Sequence, residues 1–322
     1  MNFQQMPSDE ITRACFVSEP GNRFISCDYQ SQESRLIASI SRDKALIDLF
    51  NNGCGDAHSF VAKIAYPEIV GDCPIEEIKH KFHQQRQDAK KIEFAINYAG
   101  DYNTIANNMS IPKAEAKRIY DNYMSGLAGV AKYQEYCKQI VLKKGYVTLN
   151  PILGHKAYWW DKDACLAALD LYNNKDTVAL TKLNNKLHFI KVKFNGSEDW
   201  SPIHLDHIMD FTDISLVKKK ISDWKKRSVN FRIQGTGAMC FKNALIHFWD
   251  YLCKNNLVFI VLICLSIHDE CDSEAPEEIA DEVASNLLLC MKKGAAPFCT
   301  EVNLEADLSL DENNKLPNYW IH

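Results

Sequence analysis

Hydrophobic and polar positions divide the chain into stretches of different period. NRFISCDYQ, residues 22–30, predicts a strand that enters a turn, and SQESRLIASISRDKALIDLF, 31–50, has the apolar spacing of a helix. From 76 to 143 the pattern stays helical. Within it SIPKAEAKRIYDNYM predicts a helix that starts at an N-cap, Ser110, with proline following. KKGYVTLNPILGHKAYWW reads as a β-hairpin through Asn150 and Pro151. Residues 160–227 are polar and tryptophan-bearing, without a clear period. Helix resumes over about 234–254, and a strongly apolar strand, Leu257 to Ile267, follows. Then come a turn at His268 and Asp269, a short strand, a helix over 276–293 and a tail ending NYWIH. The class this predicts is α+β.

The apolar strand ends abruptly in His268, Asp269 and Glu270. A buried strand must surface somewhere, and water solvates acids at its end cheaply. A rigid strand end is also a good platform for a carboxylate that holds a metal ion. A partner for it lies in FISCDYQSQESR, where Asp28 also ends a predicted strand. Two strand-end carboxylates side by side need a counter-charge, which divalent metal supplies. Such a pair can hold two Mg²⁺ ions roughly 4 Å apart for phosphoryl transfer.

Between these acids lies RQDAKKIEFAINYAG, in which Arg86, Lys90, Phe94 and Tyr98 fall at every fourth residue. On a helix they form one gently winding stripe about 18 Å long. Two cations at one end suit phosphates, and two aromatics at the other suit a base and sugar. The same spacing describes an ordinary amphipathic helix with Phe94 and Tyr98 in the core.

Composition narrows the class. The 322 residues are 46% apolar and 11% aromatic, enough for a substantial core. The apolar strand falls short of the ~20 residues needed to cross a bilayer, and MNFQQMPSDE lacks the charge and apolar run of a leader. A soluble cytoplasmic protein is expected, in a bacterial host's cytoplasm if phage-encoded. The twelve cysteines are scattered and form no C-x-x-C pair, so reduced, mostly buried thiols are expected. Net charge is -5, yet basic residues gather in KHKFHQQRQDAKK, 79–91, and KKKISDWKKR, 218–227, each a nucleic-acid-binding run or a solvated helix face.

The ordered set DYQSQESR, RQDAKKIEFAINYAG and IHDE resembles motifs A, B and C of family A DNA polymerases, the group of bacterial DNA polymerase I and the bacteriophage replicative enzymes. NFQQMP, DAHS at 56, GYVTLNP at 145, NFRIQGT at 230 and the terminal YWIH are similar to the same family, and KIEFAINYAGDYNTIANN looks closest to its phage members. The resemblance covers nearly the whole chain except 160–225.

It implies a right-hand polymerase fold: an antiparallel palm sheet with helices, and helical fingers. Palm would comprise 1–50 with motif A and 228–322 with motif C, fingers 51–159 with motif B, and 160–227 an insertion of unknown role. Thumb and exonuclease domains are expected to be absent. The activity implied is template-directed DNA synthesis from deoxyribonucleoside triphosphates on primer-template DNA, in replication or repair. By this resemblance Asp28 and Asp269 hold two Mg²⁺ ions with the backbone carbonyl of Tyr29, and Glu270 supports them. Glu33 crowds the sugar 2′ position. Arg86, Lys90 and His58 grip the triphosphate, and Lys90 also protonates the leaving pyrophosphate. Phe94 packs on the nucleotide and Tyr98 stacks at the insertion site. His268 touches the primer end, and Gln4, Asn230 and Gln234 line the primer-template. Arg35 ties Glu33 or its helix in place.

Two local departures stand out: Gln30-Ser31 replaces the usual Ser-Gln, and Ala99 the usual glycine. Single-subunit RNA polymerases and reverse transcriptases are rival readings; Glu33 speaks against the first and the lack of a Tyr-x-Asp-Asp turn against the second. The alternative from another class is a truncated or split fragment that binds nucleic acid and is inactive without a partner chain supplying thumb or exonuclease.

Overall fold

Eight strands are seen in the computed structural model, which describes residues 10–187, 189–194, 197–202 and 209–321: β1 Asn22–Tyr29, β2 Tyr146–Thr148, β3 Lys156–Tyr158, β4 Phe189–Phe194, β5 Ser197–Pro202, β6 Leu262–Ile267, β7 Glu270–Pro276 and β8 Ala306–Leu308. Gln4 and the NFQQMP stretch lie outside the described residues. A four-stranded antiparallel sheet runs in the order β6-β7-β1-β8, and helices surround it, so the expected mixed class holds. Cys27 of β1 sits opposite Cys271 of β7. Asp28 therefore emerges at the end of the sheet where β6 turns into β7. More than two hundred residues of sequence separation close through this one register.

Helix Glu277–Ala295 covers the sheet, packing on β1, β7 and β8, and the 41-residue helix Ile214–Lys254 packs against it in turn. Their approach depends on Gly294, where a Cβ would lie 2.4 Å from the Ala244 backbone nitrogen and 2.7 Å from its Cβ. Leu36, Phe248, Leu287 and Met291 are fully buried in this core. A second apolar cluster joins Val141, Trp159, Cys165, Val217 and Ile221, with Trp224 stacked on Trp159 at 5.7 Å between ring centroids.

The structure corrects five expectations. The apolar strand starts at Leu262 rather than Leu257, because 257–261 forms a turn. β6 is moreover an edge strand with Leu262 and Ile263 facing solvent, so it is not buried. Ser110 is a C-cap: it takes the left-handed conformation (φ 54°) and its N–H closes the preceding helix on Ala106. The following helix begins at Lys113, since proline at 112 disfavours helix at Ile111. Residues 31–50 form two helices, Gln32–Ser41 and Lys44–Asn51, broken where Arg42 is left-handed and the Asp43 carboxylate caps Ala45 and Leu46. The 160–227 stretch carries helices Lys162–Asn173 and Thr177–Leu187, the β4–β5 hairpin and the start of the 41-residue helix.

The hairpin expected at 143–160 is present as β2–β3, with Tyr146 opposite Tyr158. All twelve cysteines are free thiols, seven of them buried. Among the described residues no helix is long and apolar enough to cross a membrane.

Candidate nucleotide site

Helix His83–Asn97 shows how sequence spacing becomes a site. Ala89, Ile92, Ala95 and Ile96 bury one face. That packing turns Lys90, Phe94 and Tyr98 outward, with Phe94 56% and Tyr98 36% exposed and their rings 4.6 Å apart. The two aromatics are thus not core residues. They line a cavity of 690 Å³ with Tyr29, Glu33, His58, Gln234, His268 and Asp269. Five separate chain segments supply its walls.

The floor is acidic. His268 and Asp269 form a two-residue hairpin loop between β6 and β7, with Ile267 paired to Glu270. His268 is left-handed (φ 54°), as the first position of a primed hairpin turn requires, at a cost on the order of 1 kcal/mol for a non-glycine residue. Asp269 is raised to about 7, first by burial and then by the charge of Asp28, with Glu33 and Glu270 adding to it. Glu33 is also raised, by burial foremost and by Glu93, against a hydrogen bond from Gln234 that lowers it. Gln234 donates to both the Glu33 carboxylate and the Tyr98 hydroxyl, 3.3 Å away, tying the helix Gln32–Ser41 to the motif helix through the 41-residue helix.

Several expected residues are elsewhere. Arg86 is outside the cavity, in a bidentate pair with Asp56: Nε to Oδ2 at 2.9 Å and Nη2 to Oδ1 at 3.1 Å. Glu270 is buried, accepts from Ser26 Oγ at 2.5 Å and Trp320 Nε1 at 2.8 Å, and has Arg13 4.0 Å away. It sits behind the loop, bracing β7 against the tail. Asn230 is on the same helix as Gln234, one turn earlier, but does not line the cavity. Arg35, on the same helix as Glu33, donates to the Gln30 and Asn303 carbonyls at 3.1 and 2.8 Å, so it ties that helix to the β1 turn as expected and has no hydrogen bond to Glu33 among those seen.

The spacing also missed two groups. Glu93 is 5% exposed; its carboxylate accepts from Ser34 Oγ and lies 2.8 Å from His58 Nδ1. Asn97, 4% exposed, follows it by one turn. The signal was available, since 89, 92, 93, 96 and 97 form the helix's buried stripe and two of its members are polar. Ala99, which the resemblance sets opposite a glycine, is left-handed (φ 53°), a conformation that strains a non-glycine residue.

Asp28 and Asp269 offer hard oxygen donors at one end of the sheet. No group of three or more His, Cys, Asp or Glu suited to a metal is found among the described residues. Two carboxylates suit Mg²⁺, which takes one or two from protein and the remaining ligands from phosphates and water.

The model for DNA polymerase family A matches residues 1–315. The chain belongs to that family. A DNA polymerase of Mycobacterium phage D29 is 32% identical over 151 residues, covering 46% of this chain and 23% of the relative. DNA polymerase I of Pseudomonas aeruginosa is 23% identical over 309 residues, 95% of this chain and 27% of the relative. The chain thus spans about a quarter of the length of these relatives. The POL domain of Pol1 from M. smegmatis, solved in complex with DNA primer-template and dNTP, shares the fold at TM-score 0.68 and 23% identity, over 96% of this chain and 43% of that one.

Proposed function

We propose that the chain is the nucleotide-inserting part of a template-directed DNA polymerase, adding deoxyribonucleotides to a primer 3′ end. The observation that carries this reading is the convergence of Glu33, Lys90, Phe94, Tyr98 and Asp269 on one cavity. Lys90 makes no ion pair among the described residues and is free for a triphosphate, with His58 beside it. Phe94 offers an exposed ring to the nucleotide, and Tyr98, its ring tilted against that of Phe94, would stack at the insertion site. Glu33, held by Gln234, would crowd a sugar 2′-hydroxyl. Asn230, Gln234 and His268 face the primer-template. Two Mg²⁺ ions held by Asp28, Asp269 and the Tyr29 carbonyl would activate the attacking hydroxyl and stabilise the leaving phosphate oxygen. Residues 1–50 and 228–322 form the palm, 51–159 the fingers and 160–227 an insertion, with a partner chain a candidate source of thumb or exonuclease.

Primer extension with deoxyribonucleotides or ribonucleotides tests the reading. The chain should extend with the former, and Glu33→Ala should raise ribonucleotide use by about tenfold or more, the factor for ~1.4 kcal/mol of lost discrimination. An unchanged sugar ratio would remove Glu33 from the site, and no extension with either nucleotide would remove the function.

A further inference from the structure

A second cavity, of 890 Å³, opens beside the other face of the 41-residue helix. Thr236 and Arg232 line it, whereas Gln234, Gly237 and Ala238 line the nucleotide cavity. Arg232 places its guanidinium carbon 5.4 Å from the Tyr133 ring and 5.8 Å from the Tyr136 ring. It has no carboxylate partner among the described residues; its Nη1 reaches Cys137 Sγ at 3.9 Å, and its Nε is buried without a hydrogen-bond acceptor. Lys132, one turn before Tyr136, and Lys44 add exposed cations without ion pairs among the described residues, and Arg42 contributes a cation shared with Glu301 at 3.2 Å. The acid in the wall, Asp43, turns its oxygens to backbone N–H groups of Ala45, Leu46 and Gly129. Tyr136 remains 54% exposed.

We propose that this cavity binds single-stranded nucleic acid, with a base stacked on Tyr136 and a backbone phosphate held by Arg232 and Lys132. Cations without a carboxylate partner beside an open aromatic face are the pairing that single strands use: phosphate neutralisation gives affinity, and the ring accepts any base. The volume suits a nucleotide unit in an open cleft. The inference rests on the polymerase reading in one respect: the strand occupying the cavity is unpaired template.

The test is binding of a fluorescent twelve-residue oligothymidylate, followed by anisotropy across a salt series. Tyr136→Ala combined with Lys132→Gln is expected to weaken binding by about fivefold or more, the loss of one base–aromatic stack. The salt slope should fall by about 0.7 for the phosphate contact removed. Tyr136→Phe keeps the stack and should bind as the wild type does. Both altered side chains are exposed, so folding is preserved and circular dichroism verifies it. Wild-type affinity and slope in the double variant would overturn the proposal, as would equal loss in Tyr136→Phe. Primer extension is read separately: its failure in the wild type removes the polymerase reading and leaves the oligonucleotide result standing.

Discussion

Removing the Asp56 carboxylate should weaken the fold measurably, because one side chain there performs two tasks. It caps helix Ala57–Ala65 through Ser59 N at 3.1 Å, and it receives Arg86 in two hydrogen bonds of 2.9 and 3.1 Å. Loss of an N-cap costs about 1 kcal/mol. A charge-assisted pair adds about 1.5–3 kcal/mol, taken at the low end because both side chains are about one-fifth exposed. Asp56→Ala is therefore expected to lose roughly 2–3 kcal/mol, and Asp56→Asn, which keeps a capping oxygen, about half of that. Burial alone raises this carboxyl, but hydrogen bonds from Arg86 and Ser59 and the Arg86 charge outweigh it and hold the group below its ordinary value. An acid depressed in the folded state stabilises above its unfolded pKa of about 4 and loses that contribution as pH falls through the folded value. The gap between wild type and Asp56→Ala should thus be constant from about pH 5 to 8 and narrow in more acidic solution. Urea unfolding of Asp56→Ala, Arg86→Gln and the double variant gives the coupling, expected near 1–2 kcal/mol. A coupling within about 0.3 kcal/mol of zero would refute the reasoning.

Two further outcomes follow from packing and from the motif helix. Gly294→Ala should cost about 1–3 kcal/mol in urea unfolding, since the new Cβ meets Ala244 backbone that cannot rotate away; an unchanged midpoint would contradict this. Phe94→Tyr places a hydroxyl at the exposed edge of the nucleotide cavity and should relax rejection of dideoxynucleotides, seen as more frequent termination on extension ladders; efficient termination already in the wild type would contradict it.

Periodicity carried the motif helix well because a step of four residues keeps one face, and Lys90, Phe94 and Tyr98 do share a wall. It did not show which face was buried. Arg86, on the same stripe, is drawn aside by Asp56, thirty residues earlier, an attraction that spacing does not encode. Propensity recognised β6 but not its place at the sheet edge, since β-branched residues favour strands whether or not a neighbour covers them. The helical start within 160–227 was masked by lysines, although Val217, Ile221 and Trp224 keep an apolar stripe beneath them. The meeting of Asp28 with the His268–Asp269 loop was suggested by two acids at predicted strand ends and singled out by the motifs. Strand register, set by Cys27 opposite Cys271, is a tertiary fact.

The central claim is that Asp28 and Asp269 perform the chemistry on a nucleotide lodged against Lys90 and Phe94. Single-nucleotide addition to a primer in Mg²⁺, measured beside primer-template affinity for the wild type, Asp28→Ala and Asp269→Ala, tests it most directly. Addition should fall by at least about a thousandfold in either variant, a loss of ~4 kcal/mol of transition-state stabilisation, while affinity for DNA stays within a few fold of wild type. Robust addition by either variant would contradict the account.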